Sequence, residues 1–225
     1  MCSRSLPRSI LPMTDIEYPA AKRSLTMTTT QRALVVIGAA LMAPIASASD
    51  ADGNYAIRGP GSSSCEAYTE AFAEEDVAAV QSYAAWIDGY RTSRSRVADE
   101  TYDVLPFEQP GSVASILRGV CEQNPEILLE TAMHGVLELF EPVRQARDSE
   151  IRELERDGNT VRIREETLRE VQRQLAERDL YDFEIDGAYG PGTANGLAQF
   201  QAQAGLAETG LPDSDTLLAL FLGRD

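Results

Sequence analysis

The chain has 225 residues and a formal net charge of −16, from 20 basic against 36 acidic side chains. An acidic chain is a poor partner for nucleic acid and for anionic membrane surfaces, because both repel it. A single histidine and three cysteines exclude a His-rich metal centre built within the chain.

From Met27 the chain reads Thr-Thr-Thr-Gln-Arg32, then an apolar run from Ala33 to Ala43, then Pro44 and Ala46-Ser47-Ala48. A basic start, a short apolar stretch and an Ala-x-Ala site predict a signal peptide cleaved after Ala48. The run is too short for a permanent span, so no stable membrane span is expected after cleavage. A retained N-terminal anchor is the alternative. Residues 1–26 hold Pro7, Pro12, Pro19 and several charges. That composition suits translation starting at Met27, with a long n-region as the alternative. The leader 1–48 carries Arg4, Arg8, Lys22, Arg23 and Arg32 against Asp15 and Glu17, so the remainder has a net charge of −19. Export predicts a periplasmic or secreted protein.

Residues 49–64 are rich in Asp, Gly, Asn and Ser and read as a flexible segment. A helical pattern begins at Cys65 and runs to about Glu74. A second helix covers Asp76 to about Tyr90, with Val77, Val80, Tyr83, Ala84 and Ile87 on its apolar side and Trp86 beside them. After an irregular stretch through Phe107 to Gly111, Ser112 caps a helix reaching Cys121. A fourth helix starts at Pro125 and carries Ile127, Leu128, Ala132, Val136, Leu137 and Phe140. These four helices predict a small domain over 65–141, of a size that calls for a staple. Cys2 leaves with the leader, so Cys65 and Cys121 form an even pair in an oxidising compartment. Their disulfide would close a loop of about 56 residues, worth roughly 4 kcal/mol in the chain-entropy model. The rivals are a metal site, which needs more ligands than His134 adds, and a catalytic thiol.

Residues 142–159 are densely charged, with Arg144, Arg147, Asp148, Glu150, Arg152, Glu153, Glu155 and Arg156. Glu and Arg three or four apart can support an exposed helix, so the stretch reads as a charged helical arm ending at Gly158-Asn159. Val161-Arg162-Ile163 reads as a short extended link.

The region 160–225 is punctuated by glycine and proline. Leu168, Val171, Leu175 and Leu180 form one helical stripe. Asp186-Gly187 is a turn, and Gly190-Pro191 opens a second helix bearing Leu197, Phe200 and Ala204. Gly205 stops that helix, and Asp213 caps a third. Gly196 stands inside the second helix, where it costs about 1 kcal/mol relative to Ala. The whole chain is therefore all-α: a disulfide-linked helical domain, a charged helical arm and a three-helix module.

The ordered set Val171, Gln172, Leu175; Ile185, Asp186, Gly187; Tyr189, Gly190, Pro191, Thr193; Phe200, Gln201; Gly205, Leu206; and Thr209, Gly210 resembles the helical peptidoglycan-binding domain of bacterial envelope proteins. Phe183 departs from the family pattern, which often has Gly in that place. The resemblance implies peptidoglycan as partner. Gly187, Gly190, Pro191, Phe200 and Gly205 set turns and core. Asp186, Tyr189, Thr193 and Gln201 are the polar or amphipathic members expected to face a glycan or stem peptide. In the middle of the chain Cys65, Glu66, Trp86, Gly89, Tyr90, Asp103, Cys121, Asn124 and Pro125 resemble small disulfide-bonded periplasmic helical proteins, the acid-stress chaperones and type VI secretion immunity proteins. That resemblance implies a non-enzymatic fold meeting an envelope protein.

No cofactor, metal or catalytic residue is expected. A zinc amidase needs several ligands around an open site. A glycan hydrolase needs two positioned carboxylates, which an acidic chain cannot single out. The expected function is non-catalytic peptidoglycan binding with a protein-interaction domain held at the wall. The alternatives are a wall-remodelling enzyme or its regulator, and a docking module without glycan binding.

Overall fold

Ser64 opens the first helix by accepting the N–H of Ala67 on its hydroxyl at 3.2 Å, and α1 runs Cys65–Ala73. The computed structural model describes residues 50, 52, 54–109 and 111–223. The predicted signal peptide, its cleavage site and Met27 lie outside them. Asp76 caps α2, Val77–Val97, by accepting the Ala79 N–H at 3.0 Å. This helix outlasts the expected end near Tyr90 and carries Gly89 in its interior. Arg91 in the added turns makes a two-pronged ion pair to Asp103 at 2.7 and 2.6 Å and also donates to the Leu105 carbonyl. The loop after α2 is thereby tied to the helix.

The third helix, α3, runs Ser112–Gln123, and α4 runs Leu129–Phe140. The latter starts later than Pro125, because residues 125–128 pair with the start of α1. The Cys65 N–H donates to Ile127 O at 2.8 Å, the Glu66 N–H to Pro125 O at 2.9 Å, and Leu129 N–H to Ser63 O at 2.9 Å. Cys65 and Cys121 are joined by a disulfide, and both are fully buried. Residues 55–62, within the segment expected to be flexible, make specific contacts. Trp86 donates its indole N–H to Arg58 O at 3.1 Å and covers Gly61, where no Cβ would fit. The Tyr55 hydroxyl donates to Glu130 at 3.0 Å, and Tyr90 donates to the same buried carboxylate at 2.9 Å.

The charged stretch is not a helical arm. It contains an antiparallel β-hairpin, with β1 at Ile151–Arg156 and β2 at Asn159–Arg164. Asp157 and Gly158 form the two-residue turn, both at positive φ, 50° and 80°. Asp-Gly between short strands selects this turn because its twist matches the strands. The Glu and Arg spacings that suggested helix support either structure, and Val161 and Ile163, two apart, decide it. Leu154 opposite Val161, and Ile163 on the same strand, are buried. The overall class remains mostly helical.

The helices α5, Glu165–Ala176, α6, Pro191–Ala204, and α7, Ser214–Leu222, complete the chain. Leu168, Val171, Leu175, Leu197 and Leu220 are fully buried between them. Asp213 caps α7 through the Thr216 N–H at 2.9 Å. Gly205, at φ 68°, ends α6. One hydrophobic cluster runs from Tyr68 and Phe140 through Leu154, Val161 and Ile163 to Leu168 and Leu220. The hairpin thus links the disulfide-bonded helices to the C-terminal three. Polar ties reinforce the join: Arg164 pairs with Glu108 at 2.6 Å, Gln109 accepts the Arg162 N–H at 3.1 Å, and the Ser112 and Ser214 hydroxyls lie 2.6 Å apart.

Candidate functional site

Two glutamines hold the loops of the C-terminal helices. Gln172 on α5 and Gln201 on α6 are both fully buried. A carboxamide carries an acceptor and two donors, so one side chain can serve both ends of a turn. Gln172 accepts the Gly187 N–H at 2.8 Å. Its amide nitrogen lies 3.0 Å from Asp186 Oδ1, 3.0 Å from Ala188 O, 3.1 Å from the Tyr181 hydroxyl and 3.3 Å from Thr193 Oγ1. Gln201 repeats the device. It accepts the Gly210 N–H at 2.7 Å and donates toward Thr216 Oγ1 at 2.8 Å, Leu211 O at 2.9 Å and Thr209 Oγ1 at 3.0 Å. Both glycines are left-handed, at φ 74° and 66°.

The predicted ligand-facing residues divide accordingly. Thr193 is 2% exposed and donates to Ala188 O at 3.2 Å, and Gln201 is fully buried. Both turn inward, and they are joints of the loops rather than surface contacts. Sequence order could not separate these roles, because a buried and an exposed amide read alike. Tyr189 is half-buried, and its hydroxyl donates to Gly210 O at 2.8 Å, pinning the first loop to the second. Asp186 is exposed. The Ala188 N–H, and then the Gln172 amide, hold its carboxyl below the usual carboxylate range, so it is an anion at neutral pH.

The residues predicted to set geometry sit in the turns and core. A Cβ on Gly187 would fall 2.7 Å from Glu165 O and 2.9 Å from Arg169 Cγ, so the loop rests directly on α5. Pro191 begins α6, and Phe200 is buried beneath it. Gly190 has extended backbone and open space around it, so it is far less constrained than Gly187. Gly196 has a packing reason absent from its helix propensity: an added Cβ would meet Leu180 O at 2.6 Å.

The surface of the first loop carries two exposed apolar side chains that were not among the expected ligand contacts. Phe183 is 65% exposed and Ile185 40% exposed. Tyr181 meets Phe183 edge-on, with ring centroids 5.5 Å apart. The available signal was alternation, since Tyr181, Phe183 and Ile185 interleave with Asp182, Glu184 and Asp186. The segment 164–220 carries four arginines and eleven acids. Among the described residues, no group of three or more His, Cys, Asp or Glu is placed to hold a metal ion. His134 is half-buried and lies 3.3 Å from Glu138. No helix among the described residues is long and apolar enough to cross a membrane.

Three short helices with two glutamine-locked loops make up the C-terminal module. Residues 164–220 match the family described as "Putative peptidoglycan binding domain", and the C-terminal part of the chain is a peptidoglycan-binding domain of that kind. Over 51 residues the chain is 49% identical to a protein of Synechococcus elongatus named "Putative OxPP cycle protein OpcA". That similarity covers 23% of this chain and 12% of the relative's length. No solved structure matches the chain.

Proposed function

We propose that the protein binds peptidoglycan through residues 164–220 without cleaving it, and that the disulfide-linked helices over 65–141 present a protein-interaction surface at the wall. The observation that carries the reading is the family match over 164–220 on loops locked by buried glutamines. Loops already held in one conformation lose little freedom on binding, which favours recognition of a ligand as mobile as a glycan strand. The acidic surface of the module fits a neutral or amine-bearing ligand better than an anionic wall polymer. The buried disulfide and the leader sequence support an extracytoplasmic setting, periplasmic or secreted.

Pelleting of the purified protein with washed sacculi tests this. It should co-sediment, and soluble muropeptides released from the sacculi should not increase during incubation. A protein that stays in the supernatant across a range of salt would favour the docking reading. Release of muropeptides would favour the remodelling enzyme.

A further inference from the structure

The loop joining α5 to α6 alternates apolar and acidic side chains from Tyr181 to Asp186 without belonging to a strand. In a domain whose other large apolar side chains are mostly inside, Phe183 and Ile185 stand out at 65% and 40% exposure. Exposed rings on loops usually wave freely. This one is seated. Tyr181 supports it edge-on, and Gly192 lies beneath it, where a Cβ would come within 2.8 Å of the ring. The seat is itself held: the Tyr181 hydroxyl donates to Glu184 O at 2.8 Å and receives the Gln172 amide at 3.1 Å. Asp182 and Glu184 are exposed on either side of the ring in sequence, and among the described residues neither carboxylate has an ion-pair partner.

We propose that the Phe183 ring, backed by Tyr181 and followed in the chain by the exposed Ile185, is the platform on which this domain stacks a sugar of the glycan strand. The proposal rests on the peptidoglycan-binding reading above. A pyranose ring has a face of C–H bonds that packs on an aromatic plane, and its hydroxyl and acetamido N–H groups project from the rim. Asp182 and Glu184, exposed and next to Phe183 in the chain, can accept those donors in charge-assisted hydrogen bonds. The same carboxylates repel an anionic ligand, so the occupant is a neutral N-acetylated glycan. A preorganised ring avoids the cost of ordering a flexible one.

The test uses the full-length protein and two variants that reach the platform from opposite sides. Phe183→Ala removes the ring. Gly192→Ala leaves the ring but places a methyl in its seat. Each should weaken sacculus pelleting by roughly ten-fold while leaving the melting temperature within a few degrees of the parent. Phe183→Trp should retain binding, and its added emission should shift on titration with a soluble β-1,4-linked N-acetylglucosamine tetramer, after subtraction of the Trp86 signal. If the parent pellets and both alanine variants pellet equally well, the platform is wrong while peptidoglycan binding stands. If the parent itself fails to pellet, the proposal falls with the reading beneath it. If the free parent sediments as a dimer that Phe183→Ala dissociates, the ring serves contact between copies, and the glycan platform is overturned.

Discussion

The side-chain oxygen of Gln201 accepts the backbone N–H of Gly210 at 2.7 Å, and neither residue is open to solvent. Gln172 and Gly187 repeat the relationship one helix earlier, at 2.8 Å. In both cases a left-handed glycine turns the chain, and a glutamine from the preceding helix supplies the partner its buried N–H needs. Thr193 and Thr216 stand at matching places after the two glycines and close the two arrangements. The motif that resembles a ligand-binding signature is, in large part, the domain's internal scaffold.

Gln201→Leu should therefore unfold the module before it alters binding specifically. The change leaves the buried Gly210 N–H without a partner and strands Thr209, Thr216 and Leu211. An unsatisfied buried donor costs about 1–3 kcal/mol, so a total loss of about 2–4 kcal/mol is expected. Urea denaturation followed by circular dichroism measures it. An unchanged midpoint with lost sacculus binding would restore Gln201 as a contact residue.

Gly187→Ala and Gly190→Ala should behave very differently. At Gly187 the backbone is left-handed and the added methyl collides with Glu165 O, so a loss of at least about 2 kcal/mol is expected. At Gly190 the backbone is extended with open space around it, and the loss should stay below about 1 kcal/mol. Paired thermal melts of the two variants give the comparison, and equal losses would contradict the packing described for the first loop.

Reduction of the disulfide should lower stability by roughly 4 kcal/mol, the chain-entropy value for its loop of 56 residues. Because Cys65 and Cys121 are joined, neither should offer a thiol to iodoacetamide even in denaturant, and non-reducing peptide maps should show the two peptides linked. One hydrophobic cluster spans both helical parts, so the C-terminal helices should share in the loss rather than melt independently. Two separated transitions after reduction would argue otherwise.

Acid should loosen the first loop through Asp186. Its folded-state pKa lies below the ordinary value of 3.8, held down first by the Ala188 N–H and then by the Gln172 amide. A depressed carboxyl contributes stability above its unfolded pKa and loses it as pH falls through the folded one. Asp186→Asn keeps an acceptor for both donors but does not titrate. Its melting temperature should fall less than that of the parent between about pH 4 and pH 2, and parallel acid limbs for the two proteins would rule the contribution out.

Much of the C-terminal architecture was legible because it is written locally. A cap such as Asp213, a stop such as Gly205 and a stripe such as Leu168, Val171 and Leu175 each act within one or two turns of chain. The cysteine pairing was legible for a different reason, since only Cys65 and Cys121 lie beyond residue 48. Val161-Arg162-Ile163 is extended as its pattern suggests, but the strand at 151–156 is not legible locally, because glutamate and arginine at short spacings suit a helix or a strand alike. The hairpin's decisive residues were Asp157-Gly158 and the period-two pair Val161 and Ile163.

The sequence by itself placed the turns and caps around the C-terminal helices, offered Cys65 and Cys121 as a pair, and carried the resemblance of the last segment to the peptidoglycan-binding family. Only the tertiary structure decided which polar residues face inward. A glutamine's partners lie on other segments, such as Gly187 for Gln172 and Gly210 for Gln201, and no local pattern encodes them. It likewise decided that Gly196 is needed for contact with Leu180 rather than tolerated at a cost, and that Phe183 is seated on Gly192 yet open to solvent. Burial is a property of what the rest of the chain places nearby, so surface and scaffold separate only when the segments meet.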